Sequence, residues 1–360
     1  MKKLAIVHEK IAGSVGGSES ILFNAMDLFP DASVYSTVLD EKILPAKYKN
    51  RKINTTFIQN LPLGIEKYKA YFPLMPIAIE TLNLQEYDVI FSSHHCVAKG
   101  IIPRPDAVHI CYCHSPARYI WDLFWTYSEL NNFNPLQNFI VSVISHHIRT
   151  WDVTSAGRVD YFLANSSYTA QRIKKYYNRE SEILYPPVET TKFRNESYGD
   201  YYLMVGRIVG YKGFELAIKA FNESGKKLII VGDGPDLVKY KQIARSNINF
   251  TGKVSQKELI KYMNNCKGYI FPGKEDFGIV MAEAQAAGKP VIAFNKGGAI
   301  DIVKNNETGL LFEEQTTTSL NIAVEKSESI NWNPTFISEH SRKFDVTKFN
   351  ERLKYLIENA

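Results

Sequence analysis

The sequence predicts an α/β chain of two domains, each a parallel sheet with helices on its faces. Three observations carry this. Residues 268–298 read as strand, loop, helix, strand and loop, and a unit that tight makes a parallel pair with a right-handed crossover. The plan also starts twice: Leu4-Ala-Ile-Val7 runs into Gly16-Gly17, and Tyr202-Leu-Met-Val205 runs into Gly206. Finally, Tyr185-Pro-Pro-Val188 is a stiff extended segment between the two starts. A chain of 360 residues can bury two cores.

In chain order, residues 4–7 form a short buried strand, and 12–19 form a glycine loop opening a helix over 18–29. The dinucleotide fingerprint G-x-G-x-x-G is missing from this turn, which argues against a nicotinamide enzyme. Residues 33–36 and 89–92 are further strands. Between them, 57–80 interleaves Lys67 and Lys69 with Tyr68, Tyr71, Phe72, Leu74 and Met75. Such a stretch either lies on a bilayer surface or packs over the sheet as a long connection. His94, His95 and Cys96 end one strand, and His109, Cys111 and Cys113 alternate along the next. Their period of two puts the latter on one strand face, and C-x-C is not zinc-knuckle spacing, so they read as buried residues and not as a metal site.

His114 differs because it follows an apolar strand and precedes Ser115-Pro116, at a carboxyl edge. A helix over 140–150 follows. The last strand of the first domain starts at Tyr161, and Ser166 or Ser167 caps a helix over 168–177. The domains expected are 1–184 and 185–343, with 344–360 as a final helix. In the second half, strands fall at 202–206, 227–231, 269–271 and 291–294, and Thr308-Gly-Leu-Leu-Phe312 follows. Residues 277–287 suit a helix, stopped by Gly288 and Pro290. Another helix begins at Thr318, 325–334 is polar and loosely patterned, and 344–359 is amphipathic.

Composition narrows the function. A formal charge of +5 with no basic run does not suggest a nucleic-acid partner. Met1-Lys2-Lys3 is followed by too short an apolar run for a secretory leader, and four cysteines make no disulfide framework. A reducing, cytoplasmic setting is expected.

The chemistry gathers at carboxyl ends of strands in the second half, where ligands of open parallel sheets bind. Arg207 and Lys212 surround a glycine turn and suit a diphosphate, the first as a fork and the second as a point charge. The backbone N–H groups of Phe277, Gly278, Ile279 and Val280 open a helix and form a phosphate site. Glu275 lies before that helix and Glu283 about two turns in.

The E-x7-E spacing of Glu275 and Glu283, with Phe277-Gly278 between and Gly288-Lys289-Pro290-Val291 after, resembles the donor site of GT-B glycosyltransferases of retaining family 4. Gly206-Arg207-x4-Lys212-Gly213 resembles the same family's leaving-group clamp, and Gly16-Gly17 its N-terminal loop. The resemblance implies two Rossmann-like domains facing a cleft, with the C-terminal helix crossing back to the first. It implies transfer of a hexose from a nucleotide sugar to a hydroxyl, with retention. Arg207 and Lys212 would hold the diphosphate, Glu275 the sugar hydroxyls, Glu283 the ribose, and main chain near Val254 the base. His114 would approach the donor sugar, with Arg118, Tyr119, Trp121 and Asp122 on the acceptor side.

The stretch from Tyr71 to Ser93 is similar to bacterial O-antigen and capsule enzymes, often mannosyltransferases. That favours GDP-mannose as donor and a lipid-linked glycan as acceptor, met at the cytoplasmic face of the inner membrane. No Asp-x-Asp element ends a strand, so neither an essential metal nor a separate cofactor is expected. A sugar-nucleotide epimerase, a phosphorylase or a non-catalytic nucleotide-sugar-binding module are the rival readings.

Overall fold

The computed structural model describes residues 2–13, 16–125, 128, 133–196 and 199–360. The chain divides into two units, Met1–Leu184 with Asn350–Ala360, and Tyr185–Phe349.

The first unit is a seven-stranded parallel sheet ordered β3-β2-β1-β4-β5-β6-β7. Its strands are β1 (Leu4–His8), β2 (Ser33–Ser36), β3 (Ile53–Thr55), β4 (Val89–His94), β5 (Val108–Cys113), β6 (Tyr161–Ala164) and β7 (Glu182–Ile183). β4 is buried at every position, as a central strand covered on both faces must be. Its helices are α1 (Gly17–Leu28), α2 (Met75–Glu80), α3 (Pro135–Ser155) and α4 (Ser167–Tyr177). Ser166, not Ser167, caps α4, its Oγ accepting from Thr169 N at 3.0 Å.

The second unit is a six-stranded parallel sheet ordered β10-β9-β8-β11-β12-β13. The strands are β8 (Tyr201–Val205), β9 (Lys227–Val231), β10 (Ile248–Gly252), β11 (Gly268–Phe271), β12 (Val291–Phe294) and β13 (Gly309–Phe312). Between them run α5 (Phe214–Ser224), α6 (Leu237–Ile243), α7 (Gln256–Asn265), α8 (Ile279–Ala286) and α9 (Ala299–Ile302), then α10 (Thr317–Ser329) and α11 (Pro334–Ser341). The capping pair of Ser255 and Glu258 sets the start of α7. The final helix, α12 (Val346–Glu358), ends among residues of the first unit, where Arg352 grips Glu182 through two bonds of 2.6 and 2.7 Å.

Several elements depart from the sequence reading. The helix expected over 140–150 is α3, twice as long. Asn134 caps it with Gln137 reaching back, and Pro135 opens its first turn. The polar stretch 325–334 ends α10 and, after an Asn333 cap, starts α11, which packs on α8. Residues 57–80 fold as 3₁₀ turns leading into α2. Half-buried Tyr68, Tyr71 and Phe72 and buried Met75 pack on the core of this unit, while Phe57, Leu63, Lys67, Lys69, Leu74 and Ile77 stay exposed on the outer side of the stretch. Cys111 and Cys113 are buried in an apolar cluster, and the His109 ring bonds Ser92 Oγ at 2.8 Å. These are sheet-packing residues, as their period of two implies.

Candidate functional site

In the second unit, β8 ends in Gly206, and the chain turns through Arg207 and Lys212 into α5. Gly213 makes the last step of that turn at φ +77°, and a Cβ there would lie 2.9 Å from Gly273 N and Pro272 C. The Lys212 turn thus rests directly on the loop after β11. Two loops far apart in sequence meet because glycine lets their backbones touch. The contact delivers Lys212 Nζ to within 2.8 Å of Glu275 Oε1, with both side chains about one-fifth exposed (18% and 22%). Arg207 is exposed and makes no ion pair among the described residues.

Helix α8 starts later than expected, at Ile279, because Gly278 is its cap at φ +91°. The first intrahelical bond is Met281 N to Gly278 O at 2.9 Å. Ile279 and Val280 therefore point their N–H groups out of the helix mouth, with the positive end of the dipole behind them. The Glu275 carboxylate flanks that mouth, 3.6 Å from where a Cβ on Gly278 would sit. Phe277 is not part of the helix. Its ring is buried against Tyr185 (5.7 Å) and Phe344 (5.3 Å), and these two rings meet edge to face at 5.0 Å. Gly298 N donates to Glu275 O at 2.9 Å and fixes the loop from behind.

Glu283 lies on α8, half-buried. Burial, with Glu189 nearby and against Lys192, pushes its carboxyl up to about 7. It is poised to accept a hydrogen bond when ionised, at little cost when protonated. Val254 follows β10 and packs on the same core as Phe277. Lys212, Glu275 and the Gly278–Val280 helix mouth are brought together here, with Glu283 further along α8 and Arg207 on the turn that carries Lys212. Together they present cations, outward N–H groups and two carboxylates, a set matched to a diphosphate carrying hydroxylated groups.

In the first unit, His114 follows β5 at the carboxyl edge. Its Nε2 bonds Ser93 Oγ at 2.8 Å, and its carbonyl accepts from Asn165 Nδ2 at 2.9 Å. Burial, then His95 and His8, hold its ring neutral. Gly16 caps α1, and Glu19 reaches back to Gly16 N at 2.9 Å while pairing with Lys10 at the same distance. Burial opposes the Glu19 charge, yet His8 and Lys10 beside it hold the carboxyl below its usual range. His8 is fully buried without a hydrogen-bond partner for either ring nitrogen, and burial takes it down to about 3. Glu9 accepts from the N–H groups of Cys96, Val97 and Ala98 (3.0, 2.6 and 3.1 Å) and so fixes the turn after β4.

This cluster of His8, Glu9, Lys10, Glu19 and His95 around His114 is not among the sites that the sequence indicates. Its one sequence signal is Glu19 placed three residues after Gly16, where a helix start takes a glutamate.

The residues placed on the acceptor side are engaged internally. Tyr119 OH contacts Cys96 Sγ, Trp121 Nε1 donates to Asp152 at 2.8 Å, and Asp122 pairs with Arg172. Arg118 anchors the same turn through its carbonyl, which accepts from Trp121 N and Leu123 N.

Residues 189–344 match the family model described as glycosyl transferases group 1. Among curated proteins, a GDP-mannose-dependent α-(1-6)-phosphatidylinositol monomannoside mannosyltransferase of Mycobacterium tuberculosis is 30% identical over 192 residues, 44% of this chain and 50% of that protein. The chain spans about half the length of the first curated relatives it matches. Among solved structures, HepE of Anabaena in complex with UDP and glucose aligns over all of both chains with a TM-score of 0.70 at 16% identity. Sucrose-phosphate synthase of Thermosynechococcus elongatus aligns over 100% of this chain and 99% of its own, with a TM-score of 0.73 at 16% identity. The chain thus has the GT-B fold, and residues 189–344 of its second unit are similar to the glycosyl transferases group 1 family.

Proposed function

We propose that the protein is a retaining glycosyltransferase that moves a hexose from a nucleoside diphosphate sugar to a hydroxyl of a lipid-linked glycan, in the building of a bacterial surface polysaccharide. One observation carries the reading: Lys212 and Glu275 sit 2.8 Å apart at the open mouth of α8. A cation and two outward N–H groups suit the leaving diphosphate, and an adjacent carboxylate suits the hydroxyls of the sugar joined to it.

In the reaction, the bond from the anomeric carbon to the diphosphate breaks, and its electron pair stays on phosphate oxygen. The acceptor oxygen bonds that carbon, and its proton passes to the departing diphosphate. Lys212, Arg207 and the N–H groups of Ile279 and Val280 stabilise the charge as it develops. Glu275 orients the sugar, Glu283 accepts from the ribose, and His114, kept neutral, serves as a hydrogen-bonding group toward the sugar. No divalent ion is needed in this scheme, because fixed cations and helix N–H groups meet the diphosphate charge.

GDP-mannose is the favoured donor, supported by the GDP-mannose dependence of the mycobacterial relative. UDP in the HepE complex keeps uridine donors in the comparison. The test incubates the protein with GDP-mannose or UDP-glucose and a lipid-linked acceptor, with and without chelator, and follows nucleoside diphosphate release. Acceptor-dependent GDP release that survives the chelator is expected. Epimer or sugar phosphate formed from donor alone would overturn the reading.

A further inference from the structure

Strand β4 holds two serine–histidine pairs, one on each face of the first sheet. Ser92 and Ser93 are neighbours on that strand, so their side chains point to opposite sides. Ser92 Oγ lies 2.8 Å from His109 Nε2, and Ser93 Oγ lies 2.8 Å from His114 Nε2. Both serines are fully buried, and burial keeps both rings neutral, with one proton each. The first pair is closed at its far end, where His109 Nδ1 stands 3.1 Å from the carbonyl of Arg158. A carbonyl only accepts. His109 therefore carries its proton on Nδ1, and its Nε2 accepts from Ser92.

The second pair repeats the serine and the ring nitrogen but has no carbonyl at its far end. The Ser93 hydroxyl makes no other hydrogen bond among the described residues. If His114 Nε2–H pointed at Ser93 Oγ, the hydroxyl hydrogen would be buried without an acceptor. Stranding it favours the opposite arrangement by roughly tenfold to a hundredfold. Ser93 therefore donates to Nε2, and the single proton of the neutral ring sits on Nδ1. That nitrogen has no partner among the described residues, and unlike both nitrogens of His8 and Nδ1 of His95 it is not sealed off. The ring is flanked by Tyr112, edge to face at 5.1 Å, and by His95 at 6.2 Å.

We propose that Ser93 is a positioning residue that fixes His114 as an Nδ1–H donor, leaving for a ligand oxygen the place that the Arg158 carbonyl takes at His109. The identity of that oxygen rests on the transferase reading above: it is an accepting hydroxyl oxygen of the transferred sugar. A ring fixed in this way cannot take the proton of the acceptor hydroxyl. Its Nε2 lone pair is occupied by Ser93, and its Nδ1 is already protonated. This agrees with that proton passing to the departing diphosphate.

The test uses the full chain with isotope-labelled histidine and nitrogen NMR near neutral pH, where the two tautomers give distinct ring signals. His114→Gln identifies the His114 signals by their loss. Wild type should show His114 protonated on Nδ1, as His109 should be in every variant. In Ser93→Ala the His114 proton should move in whole or in part to Nε2, while His109 keeps its own. In the transfer assay Ser93→Ala should lower kcat about three- to tenfold, with affinity for free GDP unchanged because that ligand lacks the sugar. Ser93→Thr keeps the hydroxyl and should restore both tautomer and rate. His114 protonated on Nε2 in wild type would overturn the proposal, and so would a Ser93→Ala protein that transfers as fast as wild type. The wild-type spectrum needs no sugar nucleotide, so it decides the tautomer whether or not the transferase reading holds, and it needs no Ser93 variant to fold.

Discussion

The Lys212–Glu275 pair gives the sharpest test of the donor site, since its two members should fail in different ways. In Lys212→Ala the diphosphate loses a cation, and Glu275 is left as an uncompensated carboxylate at the helix mouth. A charge-assisted hydrogen bond of this kind is worth about 1.5–3 kcal/mol, so free nucleoside diphosphate should bind roughly tenfold to a hundredfold more weakly. In Glu275→Gln the ammonium is released from a partner 2.8 Å away that solvent still reaches. Pairs of that kind are worth about 0.2–1 kcal/mol, so nucleoside diphosphate should bind equally or up to about fivefold more tightly. Transfer should nevertheless fall, because the sugar hydroxyls lose their acceptor. Arg207→Ala, at an exposed position, should weaken the nucleotide less than Lys212→Ala. Calorimetric titration with GDP and UDP, beside the transfer assay, reads all three. Glu275→Gln losing the free nucleotide as badly as Lys212→Ala would refute the placement of Glu275 on the sugar.

Three further outcomes follow from burial and backbone geometry. Burial raises Glu283 from 4.5 to about 7, so its contribution to stability is full below its unfolded value and lost as pH rises through about 7. Melting temperature should fall across that window and GDP affinity should rise as the carboxylate forms, and Glu283→Gln should flatten both. His8 is depressed from 6.5 to about 3 by burial, so its contribution is present above 6.5 and lost as pH falls toward 3. Chemical denaturation at descending pH should show a shallower loss in His8→Gln than in wild type. Gly213→Ala should cost about 1–3 kcal/mol in urea unfolding, and more than Gly225→Ala, which shares a positive φ (+68°) but has nothing within 4 Å of its Cβ position. Equal costs would show that the contact with Pro272 and Gly273 is slack.

How legible the site was depends on what builds it. The proposed donor site is made of backbone turns and the side chains beside them, and turns leave glycine at fixed spacing. Gly206, Gly213 and Gly278 marked where the chain had to bend, so Lys212, Glu275 and the α8 mouth could be placed before any coordinates. The polar edge of the first unit is built by burial instead. His8, Lys10 and Glu19 acquire meaning only once β1, α1 and the turn after β4 are stacked, and single polar residues after a strand carry no period. Helix ends failed for a related reason. Asn134-Pro135-Leu-Gln137 is a complete start signal, but it stands before exposed Leu136 and Phe139. A search for a core-facing period therefore finds the helix only where Ser145 and Ile148 turn inward.

Phe277 shows why the same loop was both legible and misread. Its place between Glu275 and Gly278 suggests a helix start, and a helix start was expected there. In the structure its ring instead meets Tyr185 and Phe344, which lie near the two places where the chain passes between units. Val188 and residues 344–346 bond each other there, Val188 N to Phe344 O and Val346 N to Val188 O, both at 2.9 Å. The loop that carries Glu275 is therefore held by aromatic packing on these two passing segments and by Gly298 N behind it. No local pattern encodes such a contact, because its three rings come from distant parts of the sequence and each is unremarkable alone. The turn chemistry sets which groups face the ligand, and this packing sets how firmly they are held there.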